Sequence, residues 1–328
     1  MPANLPPPYF EAEKRYREGR TPEEKIEALE EMLTIMPKHK GTDKLRADLR
    51  KRIAKHKSED RQKKSSAKGV TAYNIEREGA AQAIIIGVPN VGKSSIVAAL
   101  TNAKPEVADF AHSTWKPTPG MANFENIQFQ LIDTPPVPTE FIDPGLPDLL
   151  RRTDIIALVI DIQDDPLQQL DDAMAFLNNL RIYPPGMRIP ADLKKAPFIR
   201  KVLVVVNKVD DEPAMEDYRA FQELCEMRLP LVPISIRTGY NLLDFLKKIY
   251  ELAGIIRVYT KSAGRDPDMK SPFVLPDNST LEELAEQIHK DFVTKLKYAK
   301  VWGKTVFDGQ MVQRDFVLHD GDVVEIHI

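Results

Sequence analysis

Three features of this 328-residue chain predict an α/β fold built on a doubly wound, mostly parallel sheet. A β-branched run, Ala83-Ile84-Ile85-Ile86, leads straight into Gly87-Val88-Pro89-Asn90-Val91-Gly92-Lys93-Ser94-Ser95 and then a helix-like segment. Four further apolar runs follow, Phe129-Gln130-Leu131-Ile132, Ile155 to Ile160, Val202 to Val206 and Leu231-Val232-Pro233-Ile234. Polar motifs stand at the carboxyl ends of these runs: Asp133-Thr134-Pro135-Pro136, Asn207-Lys208-Val209-Asp210 and Ser235-Ile236. Short continuous apolar runs suit strands buried on both faces, and open α/β sheets collect ligands at the carboxyl ends of their strands. Between the runs, Leu167, Leu170, Met174 and Leu177, then Leu242, Phe245, Leu246 and Ile249, recur at helical spacing and supply crossover helices.

The first motif has the composition of a phosphate-binding loop. Its glycines let the backbone wrap so that successive amide N–H groups over Asn90, Val91, Gly92, Lys93, Ser94 and Ser95 turn inward. Lys93 can reach the outer phosphates, and the Ser94 hydroxyl can ligate Mg²⁺. A turn without chemistry could share this spacing. Its place between a buried strand and a helix N-terminus, where unpaired N–H groups attract anions, favours phosphate. The second motif selects the base. A carboxylate at Asp210 can accept both the ring N–H and the exocyclic amine of guanine, a donor pair that adenine lacks. Asn207 as a plain strand terminator is the blander alternative.

With both motifs present, the chain resembles the Obg-like and developmentally regulated GTP-binding protein families, which join a P-loop GTPase domain to a C-terminal β-grasp (TGS) domain. The resemblance implies GTP and GDP as ligands with Mg²⁺ as cofactor. Lys93 would neutralise β- and γ-phosphate charge, Ser94 would ligate Mg²⁺, and Asp133 would hold the same ion through water. Asn207, Lys208 and Asp210 would form the base pocket, closed by Ser235 and the Ile236 backbone, although Ser235-Ile236-Arg237 departs from the usual Ser-Ala-Lys. Lys104 to Gly120 resembles the first switch of the class. Thr114 is assigned there as the hydroxyl that senses Mg²⁺ and the γ-phosphate, with Ser113 and Thr118 as alternatives. Asn90 matches the loop asparagine that relatives use to hold a potassium ion.

One departure bears on catalysis. The second switch normally reads Asp-x-x-Gly, with a glycine N–H offered to the γ-phosphate. Here the position is Pro136, which has no N–H. Val137 stands where Ras-like enzymes carry a water-orienting glutamine, and it can neither orient water nor move a proton. Hydrolysis is expected to be slow, with Thr114 and a bound cation doing the sensing or a partner protein supplying the missing stabilisation. A scaffold that binds GTP or GDP without hydrolysing it is the alternative. A small-molecule kinase is disfavoured by the guanine motif.

The flanks carry the remaining information. Apolar residues make up 42% of the chain, enough for full-sized cores, and no run approaches the roughly 20 apolar residues that cross a bilayer. The start, Met1-Pro2-Ala3-Asn4, lacks an export signal, so a cytoplasmic protein is expected. The one cysteine, Cys225, is expected in the apolar face of a helix, and the six histidines have no metal-ligand spacing. Net charge is −3, yet Lys38 to Lys68 holds thirteen Lys or Arg against four Asp or Glu. Thr21-Pro22-Glu23-Glu24 is a capping box leading into Ile26, Leu29, Met32 and Leu33. Thr42 can cap a second helix with Leu45, Leu49 and Ile53. This basic helical hairpin resembles that of developmentally regulated GTP-binding proteins and points to ribosomal or other structured RNA as partner, without DNA specificity.

From about Gly254 the pattern changes to short strands, Arg257–Thr260 and Ser271–Leu275, then a helix capped by Ser279 with Glu282 in the capping-box place, then strands over 298–303 and 322–326. The β-β-α-β-β order and the segments Lys297–Gly303 and His319–Ile326 resemble the ubiquitin-like TGS domain. The TGS domain is expected to share the contact with ribosome or structured RNA, and Trp302 is either an exposed RNA or protein contact or a core aromatic. The expected organisation is a flexible tail over 1–20, the hairpin over 21–58, a linker over 59–78, the GTP-binding domain over 79–253 and the TGS domain over 254–328. No further domain is expected between Asp133 and Asn207, where Pro184-Pro185-Gly186 and Pro190 suggest a modest loop.

Overall fold

The computed structural model describes residues 7–18, 22–36, 49, 51–53, 73–102, 117–138 and 142–328. Ser113, Thr114 and most of the expected second basic helix, including Thr42 and Leu45, lie outside the described residues. The chain divides into two compact units, Met1–Asn74 with Asp143–Gly145, and Ile75–Ile142 with Leu146–Ile328.

In the first unit, helices span Pro7–Glu18 and Pro22–Ile35, each opening on a proline whose fixed φ suits the first helical position. The first of them falls where a flexible tail is expected over 1–20. Its order has a cause in packing: Tyr9 and Ala12 share a face and bury against Leu29, Met32, Met36, Leu49 and Ile53. Arg15 and Glu31 add an exposed ion pair at 2.6 Å.

The second unit is built on a six-stranded sheet of β1 (Ala81–Ile86), β2 (Thr118–Phe124), β3 (Ile127–Asp133), β4 (Ile155–Asp161), β7 (Lys201–Asn207) and β8 (Leu231–Pro233), in the order β2-β3-β1-β4-β7-β8. All neighbours are parallel except β2 and β3, a hairpin in which Thr118 faces Asp133 and Phe124 faces Ile127. The sequence does not foretell β2, because Pro119-Gly120 reads as a strand breaker. An edge strand tolerates the proline, since one row of its backbone groups has no ladder to join. Every residue of β1 and β4 is buried, as their unbroken apolar runs predict.

Helices Lys93–Leu100, Pro166–Asn179, Glu212–Leu224 and Leu242–Ala253 cover the sheet. Leu170, Met174 and Leu177 are buried on the second of these, whereas Leu167 is 36% exposed and stands off the buried stripe. Phe245, Leu246 and Ile249 join Ile85, Val159 and Val205 in the main core. Cys225 corrects its expectation. It sits at the C-cap of Glu212–Leu224, half-buried, with Sγ 3.6 Å from the Met227 carbonyl. Between Asp133 and Asn207 the described residues form the helices Gly145–Arg152 and Pro166–Asn179, β4, and a modest loop around Pro184-Pro185-Gly186 and Pro190 with the short pair β5 (Ile182–Tyr183) and β6 (Phe198–Ile199) at its base.

The carboxyl-terminal part is a five-stranded sheet of β9 (Ile255–Thr260), β10 (Phe273–Pro276), β11 (Tyr298–Trp302), β12 (Gln310–Val312) and β13 (Val323–His327), in the order β10-β9-β13-β11-β12. Helices Leu281–Ile288 and Lys290–Lys295 lie between β10 and β11, and Leu281, Leu284 and Ala285 pack with Val301 and Val324 in its own core. Two expectations shift here. The edge strand β12 is additional, and the helix cap is Thr280 with Glu283, one residue later than Ser279 with Glu282, because Ser279 is buried. Trp302 is partly buried, with the Lys261 ammonium 3.6 Å from the centre of a ring.

Candidate guanine-nucleotide site

The loop after β1 is shaped by two close approaches. A Cβ at Gly87 would lie 2.3 Å from the Val159 carbonyl oxygen. One at Gly92, where φ is +96°, would lie 2.5 Å from Asn207 Nδ2. Only glycine lets the chain pass at these two points. Lys93 opens the helix Lys93–Leu100 and is 4% exposed, with Nζ donating to the Val88 carbonyl at 2.8 Å. Burial lowers its pKa to about 8, opposed by the nearby Asp133 charge. Asn90 (φ +64°) and Ser95 are exposed, and Val91 is buried.

Asp133 ends β3 and is 2% exposed. Burial raises its pKa, while a hydrogen bond from Ser94 and the charge of Lys93 oppose the shift. Its Oδ1 is buried without a hydrogen-bond partner among the described residues. An orphaned carboxylate oxygen beside a serine hydroxyl is a donor set that fits a hard divalent cation such as Mg²⁺. Thr118 faces Asp133 across the hairpin. The next turn is held to β1 and the phosphate loop: Thr134 Oγ1 donates to the Ile85 carbonyl of β1 at 2.7 Å, and the Val137 N–H donates to the Gly87 carbonyl at 3.0 Å. Val137 is therefore buried, with its N–H already committed.

The base motif is tied to the same loop. Asn207 Nδ2 donates to the Val91 carbonyl at 2.7 Å, while its Oδ1 is a second buried orphan among the described residues. Asp210 accepts a hydrogen bond from Ser235 Oγ at one oxygen and pairs with Arg237 Nε at 3.0 Å through the other. Ser235 is fully buried and its Oγ also accepts the Thr238 N–H at 3.1 Å, which fixes the carboxylate. Ile236 reaches back to Gly92, its Cδ1 3.2 Å from where a Cβ would stand. Lys208, with φ +65°, forms an ion pair with Asp161.

The structure thus brings together Gly92, Lys93, Ser94, Asp133, Asn207, Lys208, Asp210, Ser235 and Ile236. Sequence reasoning missed Asp161, Gln163 and Gln169, and met Arg237 only as a departure from the usual Ser-Ala-Lys. Asp161 accepts the Gln163 N–H at 3.0 Å through Oδ1, and Gln169 accepts the Asp161 N–H at 2.9 Å. The signal for Asp161 was present, since it ends an apolar run on the ligand side of the sheet. Gln169 carried none, because it sits one turn inside a helix.

Residues 82–208 match the family described as 50S ribosome-binding GTPase, and residues 256–328 match the TGS domain. An uncharacterised GTP-binding protein of Methanocaldococcus jannaschii is 32% identical over 371 aligned positions, covering 93% of this chain and 93% of its own. The chain belongs to the Obg-like, developmentally regulated GTP-binding protein family. This GTP-binding protein is also 26% identical to Ribosome-interacting GTPase 1 of Saccharomyces cerevisiae, across 92% of this chain and 98% of the yeast protein. Among solved structures, the Schizosaccharomyces pombe YchF GTPase shares its fold at a TM-score of 0.51 and 11% identity, covering 77% of this chain and 99% of that one. The alignment to the archaeal relative is longer than the 328 residues here, so that relative carries segments this family member lacks.

Proposed function

We propose that this GTP-binding protein is a slow, Mg²⁺-dependent GTPase whose nucleotide state controls its docking on ribosomal or other structured RNA. The observation that carries the proposal is the pairing of two buried, unpartnered acceptors, Asp133 Oδ1 and Asn207 Oδ1, on either side of the loop that Lys93 anchors. A buried unpaired polar atom calls for an explanation, and a bound nucleotide with its ion supplies one for both. Asn207 and Asp210 would read guanine, Lys93 would offset phosphate charge, and Ser94 with Asp133 would hold Mg²⁺. That ion, when bound, spreads the charge that develops on the transferred phosphoryl oxygens.

Slow turnover follows from Pro136 and from the Val137 N–H being spent on Gly87. Neither residue offers a donor to the γ-phosphate. Sensing then falls to Thr114, with Ser113 or Thr118 as substitutes. A potassium ion held by Asn90, or a cationic group from a partner protein, would supply the missing stabilisation. The same two residues favour a second reading, a cytoplasmic RNA-binding scaffold that holds GTP without cleaving it. Multiple-turnover phosphate release in potassium buffer, with and without ribosomes, separates the two. Release well above that of Lys93→Ala supports the enzyme, and equality under all conditions rejects it. Co-sedimentation with ribosomes in GDP against a non-hydrolysable GTP analogue tests the switch, which fails if both pellets are equal.

A further inference from the structure

The end of the central sheet opposite the nucleotide motifs carries an unassigned cationic cleft. Its volume is about 380 Å³, and Arg77, Arg152, Arg200 and Lys201 line it together with one carboxylate, Asp154. Asp154 is already neutralised: it pairs with Arg77 at 2.6 Å and accepts the Gln82 N–H at 2.9 Å. Arg200 and Lys201 are held differently. The Arg200 guanidinium donates to the carbonyl of Arg151 through Nε at 2.7 Å and to that of Ile199, and Lys201 Nζ donates to the Ala253 carbonyl at 3.3 Å. Among the described residues no carboxylate lies within ion-pair distance of Arg200, Lys201 or Arg181. These cations are therefore fixed in place by neutral groups and keep their full charge.

The neighbouring surface has the same sign. The guanidinium carbons of Arg151 and Arg181 lie 5.1 and 5.4 Å from the centre of the Phe198 ring, which holds both groups at the foot of the β5–β6 excursion. The strand β7 starts at Lys201 in the cleft and ends at Asn207 in the base pocket, so the two sites stand about 20 Å apart at roughly 3.3 Å per residue. A ligand in the cleft would not compete with nucleotide.

We propose that this cleft is a second docking site for the phosphate backbone of RNA. Guanidinium forks match pairs of phosphate oxygens, and pre-positioned cations lose little freedom on binding a polyanion. The adjacent, un-neutralised Arg200 and Lys201 suit a chain with one phosphate per nucleotide. The inference rests on the RNA-docking reading above and locates part of that contact on the GTP-binding domain itself.

The test uses the full-length protein loaded in turn with GDP and with a non-hydrolysable GTP analogue, a fluorescent RNA hairpin and purified ribosomes, with affinity measured across a salt series in the state that binds more tightly. For Arg200→Gln/Lys201→Gln the expected result is a tenfold or greater loss of affinity, and a salt slope smaller by about two, since each phosphate contact contributes about 0.9 to it. Lys201→Gln alone leaves the Arg200 carbonyl bonds intact and is expected to lower the slope by about one. Lys201→Arg should keep the wild-type slope, which a purely structural role would not require. GDP affinity should be unchanged in all three. A wild type that binds RNA while the folded charge-removal variants keep its slope overturns the cleft alone. A wild type that binds neither RNA nor ribosomes in either nucleotide state overturns the docking reading and the cleft together. Displacement by poly-glutamate as readily as by unlabelled RNA assigns the cleft to an acidic protein and also overturns it.

Discussion

Lys93 carries a charge into a buried position, and its lowered pKa of about 8 records the cost. Phosphate oxygens near Nζ would favour the ammonium and raise that value, so binding takes up a proton wherever the free protein has lost it. Nucleotide affinity is then flat below pH 8 and falls as pH rises above it, by up to about tenfold per unit, until the bound-state pKa is passed. Calorimetry in buffers of different ionisation enthalpy should show proton uptake at pH 8.5 and almost none at pH 7, over a range in which the guanine N1–H stays protonated. Equal affinity and no uptake at both values would place Lys93 away from phosphate. Asp210 gives the matching test for the base. Asp210→Asn sets an amide donor against the guanine amine while matching the C2 carbonyl of xanthine. GTP affinity should fall about 10²- to 10⁴-fold as xanthosine triphosphate gains, and equal losses for both nucleotides would count against direct base contact.

At the scale of elements, the β2–β3 turn is clasped to the β-grasp sheet by Arg257. Its guanidinium pairs with both oxygens of Asp320, Nε to Oδ1 at 3.1 Å and Nη2 to Oδ2 at 3.0 Å, reaches Glu125 through Nη1, and lies 4.8 Å from the centre of the Tyr250 ring. Asn126 adds hydrogen bonds to Tyr259 Oη at 2.7 Å and to the Met269 carbonyl at 3.1 Å. Burial acts to raise the Asp320 pKa, but hydrogen bonds from Arg257 and Tyr250 outweigh it and hold the carboxyl below its ordinary value. The stability this contributes is present above the unfolded carboxylate pKa and is lost as pH falls through the lowered one. Arg257→Ala should destabilise by about 1–3 kcal/mol, discounted for the partial exposure of Asp320, and should flatten the acid limb of the stability curve. Thermal melts of Arg257→Ala, Asp320→Ala and the double variant check this, and additive losses would dismiss the coupling. None of the clasp was legible in the sequence, because it joins positions more than 130 residues apart. The phosphate loop and Asn207-Lys208-Val209-Asp210 were legible because strand, turn and helix are contiguous there. Edge strand β2 was hidden by its own Pro119-Gly120, and the Pro7–Glu18 helix by a proline-rich start whose Tyr9 and Ala12 gain a partner only in the folded unit.

On the scale of the whole molecule, charge is distributed against its net value. The chain totals −3, yet Lys38 to Lys68 holds thirteen Lys or Arg against four Asp or Glu, so the remainder is strongly acidic. A polyanion would be repelled by the net charge of the remainder and attracted by the basic stretch, which is how a field sets orientation as well as rate. On the docking reading proposed above, the cleft at Arg200 and Lys201 would be a short-range contact, made after the long basic stretch has steered the encounter. The two roles separate in kinetics. Charge reversal in the steering stretch, Lys51→Glu with Lys63→Glu and Lys64→Glu, should lower the association rate with ribosomes about tenfold or more at low salt. The deficit should shrink toward zero near 1 M, where the screening length is about 3 Å. Loss of charge in the cleft should act mainly on the dissociation rate, as short-range contacts do. Stopped-flow measurements across a salt series distinguish the two patterns. If both variants change only dissociation, the asymmetry does no steering, and the basic stretch is one more contact.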